Sequence, residues 1–150
     1  MDNNIIHEDN KKVIEFLKKN PRLTNGPQVK KFEEKWSNWL GVKYSVFVNS
    51  GSAANLASIS YLRTKYNDGE IIVPTITWVS DILSVFYNNF KPVFVDINKD
   101  NLAINEDLIE KAINKKTRAI FLTHVLGLNG LTEKIINLAK KNNLYLIEDV

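Results

Sequence analysis

No cysteine occurs among the 150 residues, which excludes disulfides, thiolate metal sites and cysteine nucleophiles together. No apolar run approaches the roughly 18 residues that a membrane-spanning helix requires, so no membrane partner is expected. The opening Met1-Asp2-Asn3-Asn4 lacks the basic-then-apolar order of a secretory leader, which points to a cytoplasmic protein. Charge of one sign is missing as well. Twenty basic side chains face 17 acidic ones, a formal net charge of +3, with the lysines spread among glutamates and asparagines. Without a basic stripe interleaved with aromatics, no nucleic-acid partner is expected. Neither the Gly-Lys-Ser/Thr of a Walker loop nor a G-x-G-x-x-G run is present, which argues against ATP and nicotinamide cofactors.

Hydrophobic residues make up 44% of the chain, enough for a core of ordinary domain size. An amphipathic helix is expected over His7–Lys19, ended by Asn20-Pro21. A second opens at Pro27, repeats apolar residues at Val29, Phe32, Trp36 and Trp39 or Leu40, and stops at Gly41. From Tyr44 the pattern changes. Short β-branched runs lie at Tyr44–Val48, Glu70–Val73, Pro92–Asp96, Arg118–Leu122 and Leu144–Glu148. Helical stretches at Ser52–Tyr66, Thr77–Asn89, Glu106–Asn114 and Thr132–Asn142 separate them. Strands starting at 44, 70, 92, 118 and 144 have the rhythm of βα units. The reading is therefore an α/β protein with five parallel strands, apolar on both faces. The last run reads as a central strand with no covering helix after it, the expectation for a piece of a longer protein.

Ligands of open parallel sheets bind beyond the carboxyl ends of the strands. After the first run comes Asn49-Ser50-Gly51-Ser52-Ala53-Ala54-Asn55, small residues opening a helix. Free N–H groups there suit a phosphate. Gly51 permits close approach, and Ser52 can cap the helix and touch the anion; an ordinary capped helix is the alternative. Trp78, after Val73-Pro74-Thr75-Ile76-Thr77, is either a platform for a flat aromatic ligand or a core residue. His124, after the fourth run, is a proton carrier or, more simply, a structural histidine. Asp149 ends the fifth. A carboxylate at the mouth of a central strand needs a cation or donors. A protonated pyridine nitrogen would satisfy it; a helix cap or a metal ligand are the other uses. Phosphate cradle, stacking ring and carboxylate together describe a site for a phosphorylated pyridine, with no metal in its design.

The ordered runs Thr24-Asn25-Gly26-Pro27, Gly41-Val42-Lys43-Tyr44, Asn49 to Leu56, Val73-Pro74-Thr75-x-Thr77-Trp78-Val79-Ser80, Pro92-Val93-Phe94-Val95-Asp96 and Leu146-Ile147-Glu148-Asp149 resemble the DegT/DnrJ/StrS-type nucleotide-sugar aminotransferases. The similarity spans nearly everything from Asn20 onward. It implies the three-layer αβα, mostly parallel sheet of the type I pyridoxal-phosphate (PLP) transferases, truncated after its fifth strand. Residues 1–43 would be an N-terminal helical segment and 44–150 the first part of the PLP-binding large domain. By motif match, Gly51 and Ser52 would hold the phosphate, Trp78 would stack on the ring, and Asp149 would pair with its nitrogen. The resemblance also implies a homodimer that moves an amino group, with glutamate as donor, to a keto nucleotide-sugar in surface-polysaccharide, lipopolysaccharide or antibiotic-sugar synthesis. The family lysine that binds the cofactor falls downstream of the aspartate motif. Asn49 to Leu56 is also close to a dehydratase branch, which replaces that lysine with histidine and removes the C3 hydroxyl of CDP-linked 4-keto sugars using pyridoxamine phosphate. The Thr77–Ser80 segment sides with the aminotransferases. A non-catalytic fragment kept as a binding or dimerisation module is the remaining alternative.

Overall fold

The computed structural model describes residues 4–150, which form two compact units, one through Phe47 and one from Val48. The first unit holds α1 (His7–Leu17) and α2 (Pro27–Leu40). Asp9 Oδ2 accepts from the Ile6 N–H at 3.2 Å, serving a backbone donor at the start of α1 that the helix itself leaves unpaired. α2 begins on Pro27, whose missing N–H costs nothing at the first helical position, and ends at Gly41. There φ is 75°, a left-handed cap that disfavours any side chain. Phe32 stacks on Trp36 with ring centroids 5.8 Å apart and meets Phe47 edge-on at 5.5 Å.

The expected strand at Tyr44–Val48 does not form. A strand exists only through a ladder of backbone partners, and none is made here among the described residues. The Phe47 N–H donates instead to Glu33 Oε1 at 2.9 Å, and Ser37 donates to the Ser45 hydroxyl at 2.8 Å. Tyr44 and Val46 lie exposed. The β-branched run is present; a partner strand among the described residues is not.

The second unit is a four-stranded sheet with helices on both faces. Its strands are β1 (Glu70–Pro74), β2 (Lys91–Val95), β3 (Thr117–Thr123) and β4 (Tyr145–Asp149), all parallel, in the order β2-β1-β3-β4. Between them run α3 (Gly51–Arg63), α4 (Val79–Tyr87), α5 (Glu106–Ala112) and α6 (Glu133–Lys141), α3 preceding β1. Side chains on Ser50, Asn105 and Thr132 accept from the first-turn N–H groups of α3, α5 and α6, which fixes where each helix starts.

Alternation along the strands divides the core. Ile71, Val73, Ala119 and Phe121 face Ile59 and Leu62 of α3 and Val85 of α4. Ile72, Ile120 and Leu122 face Ile109 of α5 and Ile135 and Leu138 of α6. Both strand faces are thus buried, which is why β1 and β3 read as continuous apolar runs rather than alternating ones. On the α3–α4 side, two polar pairs cross the interface. Asn55 Nδ2 donates to Asp81 Oδ1 at 2.7 Å, and the Ser60 hydroxyl donates to Asn88 Oδ1 at 3.0 Å.

Strand order determines where a ligand can sit. From β1 the chain steps to one side for β2, then returns past β1 to place β3 on the other. The gap between the ends of β1 and β3 is therefore the topological switch point, where open α/β sheets present their ligand crevice. Ile72 sits at the middle of this construction, fully buried and paired across to Val93 and Ile120. Ile72→Ala should lower the unfolding free energy by about 2–5 kcal/mol, the cost of an unfilled cavity in a packed core. Urea denaturation followed by circular dichroism measures it.

Candidate active site

At the switch point the polypeptide leaving β1 turns through Thr75–Trp78 into α4, and β3 ends at Thr123. The hydroxyls of Thr77 and Thr123 lie 2.6 Å apart and bridge the gap. Both converge on Asp81, in the first turn of α4. Its Oδ2 accepts from Thr77 and, at 3.2 Å, from Thr123, while its Oδ1 accepts from Asn55. Asp81 is fully buried. Neutral donors from three other places in the fold, together with the positive end of α4, surround it.

Asp149 closes β4 beside this group. It is half-buried, and burial pushes its carboxyl above the ordinary carboxylate range. The neighbouring Asp81 charge pushes the same way, while Asn55 and His124 pull it back. His124 itself is held from both sides. Its Nδ1 accepts from the Gly130 N–H at 3.1 Å, so the ring proton sits on Nε2 and faces Glu148 Oε2, also at 3.1 Å. With both nitrogens engaged, His124 is an anchoring histidine rather than a free proton carrier.

Ile76, Thr77, Trp78, Thr123, His124, Leu126 and Asp149 line an open cavity of about 510 Å³, within the range of small-molecule sites. Trp78 is 70% exposed and does not belong to the core of the described residues. Its indole, Ile76 and Leu126 are apolar members of the cavity lining, and Asp149 is its acid. Gly51 and Ser52 do not line this cavity. They form the start of α3, one turn before Asn55, whose side chain donates to Asp81. The helix cap is Ser50, whose Oγ accepts from the Ala53 N–H at 3.2 Å, not Ser52 as the sequence suggested. The reason is positional: Ser50 has the extended backbone of a capping residue, whereas Ser52 is already inside the helix. Ser52 is left exposed, and a Cβ built on Gly51 would meet open space.

Sequence reasoning singled out Trp78 and Asp149, and one cavity holds both. It gave no role to Asn55, Thr77, Asp81 or Thr123. One signal was legible: Asp81 is the only charge in Val79–Tyr87, an otherwise apolar helix, where a buried acid demands a partner.

The raised Asp149 carboxyl has a thermodynamic sign. The folded protein retains this proton after the unfolded chain has released it, so stability falls as pH rises from the ordinary value of 3.8 through the raised one. Asp149→Asn removes that loss. The cofactor-free variant should melt higher than the parent at neutral pH, with the difference shrinking towards pH 4, in paired thermal melts across that range. A constant difference at every pH would mean that Asp149 does not carry the effect.

The model of the DegT/DnrJ/EryC1/StrS aminotransferase family matches residues 3–150. Among curated relatives, GDP-4-keto-6-deoxy-D-mannose 3-dehydratase of Yersinia pseudotuberculosis is 34% identical over 132 residues, covering 85% of this chain and 34% of its own length. dTDP-4-amino-4,6-dideoxy-D-glucose transaminase of Shigella dysenteriae is 36% identical over 137 residues, covering 91% of this chain and 36% of its own. The chain thus spans about a third of the length of the curated relatives it matches. Among solved structures, an E. coli GDP-4-keto-6-deoxy-D-mannose-3-dehydratase with bound hydrated PLP superposes with a TM-score of 0.92 at 28% identity, over 99% of this chain and 39% of that one. The α/β layering is accordingly that of the type I PLP transferases, as the motifs implied. A parallel sheet with its crevice between β1 and β3, a sequence match over residues 3–150 and this superposition agree: the chain belongs to the DegT/DnrJ/EryC1/StrS aminotransferase family.

Proposed function

We propose that the full-length protein is a PLP-dependent aminotransferase that transfers an amino group, with glutamate as donor, to the keto carbon of a nucleotide-linked sugar. The pathway would be the synthesis of a surface polysaccharide or a deoxyamino sugar, and the working form a homodimer. The observation that carries the reading is the meeting of Trp78 and Asp149 in one cavity at the switch point, with α3 tied through Asn55 to Asp81 behind it. The residues present suit a phosphorylated pyridine. Asp149 is a carboxyl in want of a cation, Trp78 offers an exposed face, and the N–H groups of Gly51 and Ser52 have no intrahelical acceptor.

In this reading Gly51 and Ser52 donate to the phosphate, the Trp78 indole covers the ring, and Asp149 accepts from the ring nitrogen and keeps it protonated. The bound cofactor supplies a cationic ring that takes up the electron pair left on the substrate carbon. The lysine that moves protons at that carbon would come from residues beyond these 150. A second reading is the dehydratase branch, favoured by the match to two GDP-4-keto-6-deoxy-D-mannose dehydratases. Lysine or histidine at the position beyond this chain separates the two. The absorbance spectrum of the purified protein does the same, because a covalently held cofactor and a free pyridoxamine form absorb differently.

Two substitutions test the assignment in the full-length enzyme. Trp78→Ala should weaken PLP binding by about 1–3 kcal/mol, the range for a stacked aromatic, and leave the melting temperature nearly unchanged. Unaltered affinity with a large stability loss would sink the stacking role. Asp149→Asn should still bind cofactor yet lose at least about 100-fold in turnover, on the order of 3 kcal/mol of barrier. Near-normal turnover in that variant would leave Asp149 a structural residue.

A further inference from the structure

Asp81 poses a problem that the PLP site does not answer. It is a fully buried carboxylate, and none of the ion pairs among the described residues includes it. Its oxygens accept only from the neutral Asn55, Thr77 and Thr123 side chains, with Ser80 more distant at 3.4 Å. For fold stability alone a charge here is a poor choice. Asparagine or threonine could accept from Asn55 and pair with the threonines without a buried ion, and buried charges contribute little net stability. The charged groups around it are few. Asp149 is its acidic neighbour, and His124 lies next to Asp149 with its ring proton committed to Glu148. Two acids therefore press on one spot, and the described residues supply no lysine or arginine against either.

That imbalance has a direction. Asp81 is sealed behind Thr77 and Thr123, whereas Asp149 lines the cavity. Only Asp149 can be met by an incoming cation, and Asp81 makes that cation more welcome by adding its own charge to the same field. Thr123 joins the two acids: its hydroxyl donates to Asp81, and in the sheet it stands in register with Asp149.

We propose that Asp81 is a positioning residue for Asp149: a second carboxylate, locked by Asn55, Thr77 and Thr123, whose charge makes the cavity select a ring that bears a protonated nitrogen. The inference rests on the PLP reading above and adds a residue to which that reading gives no role. Asp81 touches neither ring nor substrate; it acts through Asp149 alone.

The test compares two ligands on the cofactor-free full-length protein by spectrophotometric titration: PLP, and its 1-deaza analogue, in which the ring nitrogen is replaced by C–H. The parent protein should prefer PLP. In Asp81→Asn, which keeps the shape and can pair with the same neighbours, the preference should shrink at least about tenfold, equivalent to about 1.4 kcal/mol. Affinity for the deaza analogue should stay within about threefold of the parent's. Asp81→Thr serves as a second uncharged variant should the first fail to fold, with the same expectation. An unchanged preference, or an equal loss of both ligands, overturns the proposal by reducing Asp81 to a packing role. Failure of both variants to fold overturns it too, since Asp81 is then a folding residue. Asp149→Asn separates this from the underlying reading. If the parent shows no preference, or Asp149→Asn keeps it, the cofactor assignment itself falls.

Discussion

One buried carboxylate gathers the candidate site. Asp81 accepts from Asn55 on α3, from Thr77 on the loop just before its own helix and from Thr123 at the end of β3, so three segments far apart in sequence meet at a single group. A polar group with no access to water keeps its hydrogen bonds or costs a few kcal/mol for losing them. The strand ends around Asp81 are therefore held together more strictly than loops usually are. The cavity inherits that order: the residue before Trp78 donates to Asp81, and so does Thr123, the register partner of Asp149 in the sheet.

The surrounding layers explain why such a group is tolerated at all. β1 and β3 bury apolar residues on both faces, and helices seal each side. Hydrophobic burial at roughly 25 cal/mol per Å² supplies the stability that lets a small polar cluster persist at one edge. Return of the chain past β1 to form β3 opens the gap that Thr77 and Thr123 close. Topology thus decides where a site can lie, and side-chain chemistry decides what it accepts.

The legible part of this protein was the part governed by local rules. Helix starts at Pro27 and Thr132, the stop at Gly41 and the β-branched runs of β1 to β4 follow from propensity and capping. Trp78 and Asp149 were legible because strand ends in a parallel sheet are known places to look, and the ordered motifs identified the family. Two things were not. Tyr44–Val48 has the composition of a strand, but pairing is a property of neighbours that composition does not encode. The Asn55–Asp81–Thr123 cluster joins positions 26 and 42 residues apart, and no spacing rule links them before the fold exists. Ser50 rather than Ser52 as the cap was a matter of two residues, inside the ordinary uncertainty of helix ends.

The interface between α3 and α4 has a mechanical side. Asn55–Asp81 and Ser60–Asn88 clamp the two helices at separate points along their length, and Asn88 also ties back to the Ser84 carbonyl. Two fasteners remove what a single one leaves free, the rotation of one helix about the contact and its sliding along the other. The two helices are thereby fastened at both ends of α4, at Asp81 in its first turn and at Asn88, its C-cap.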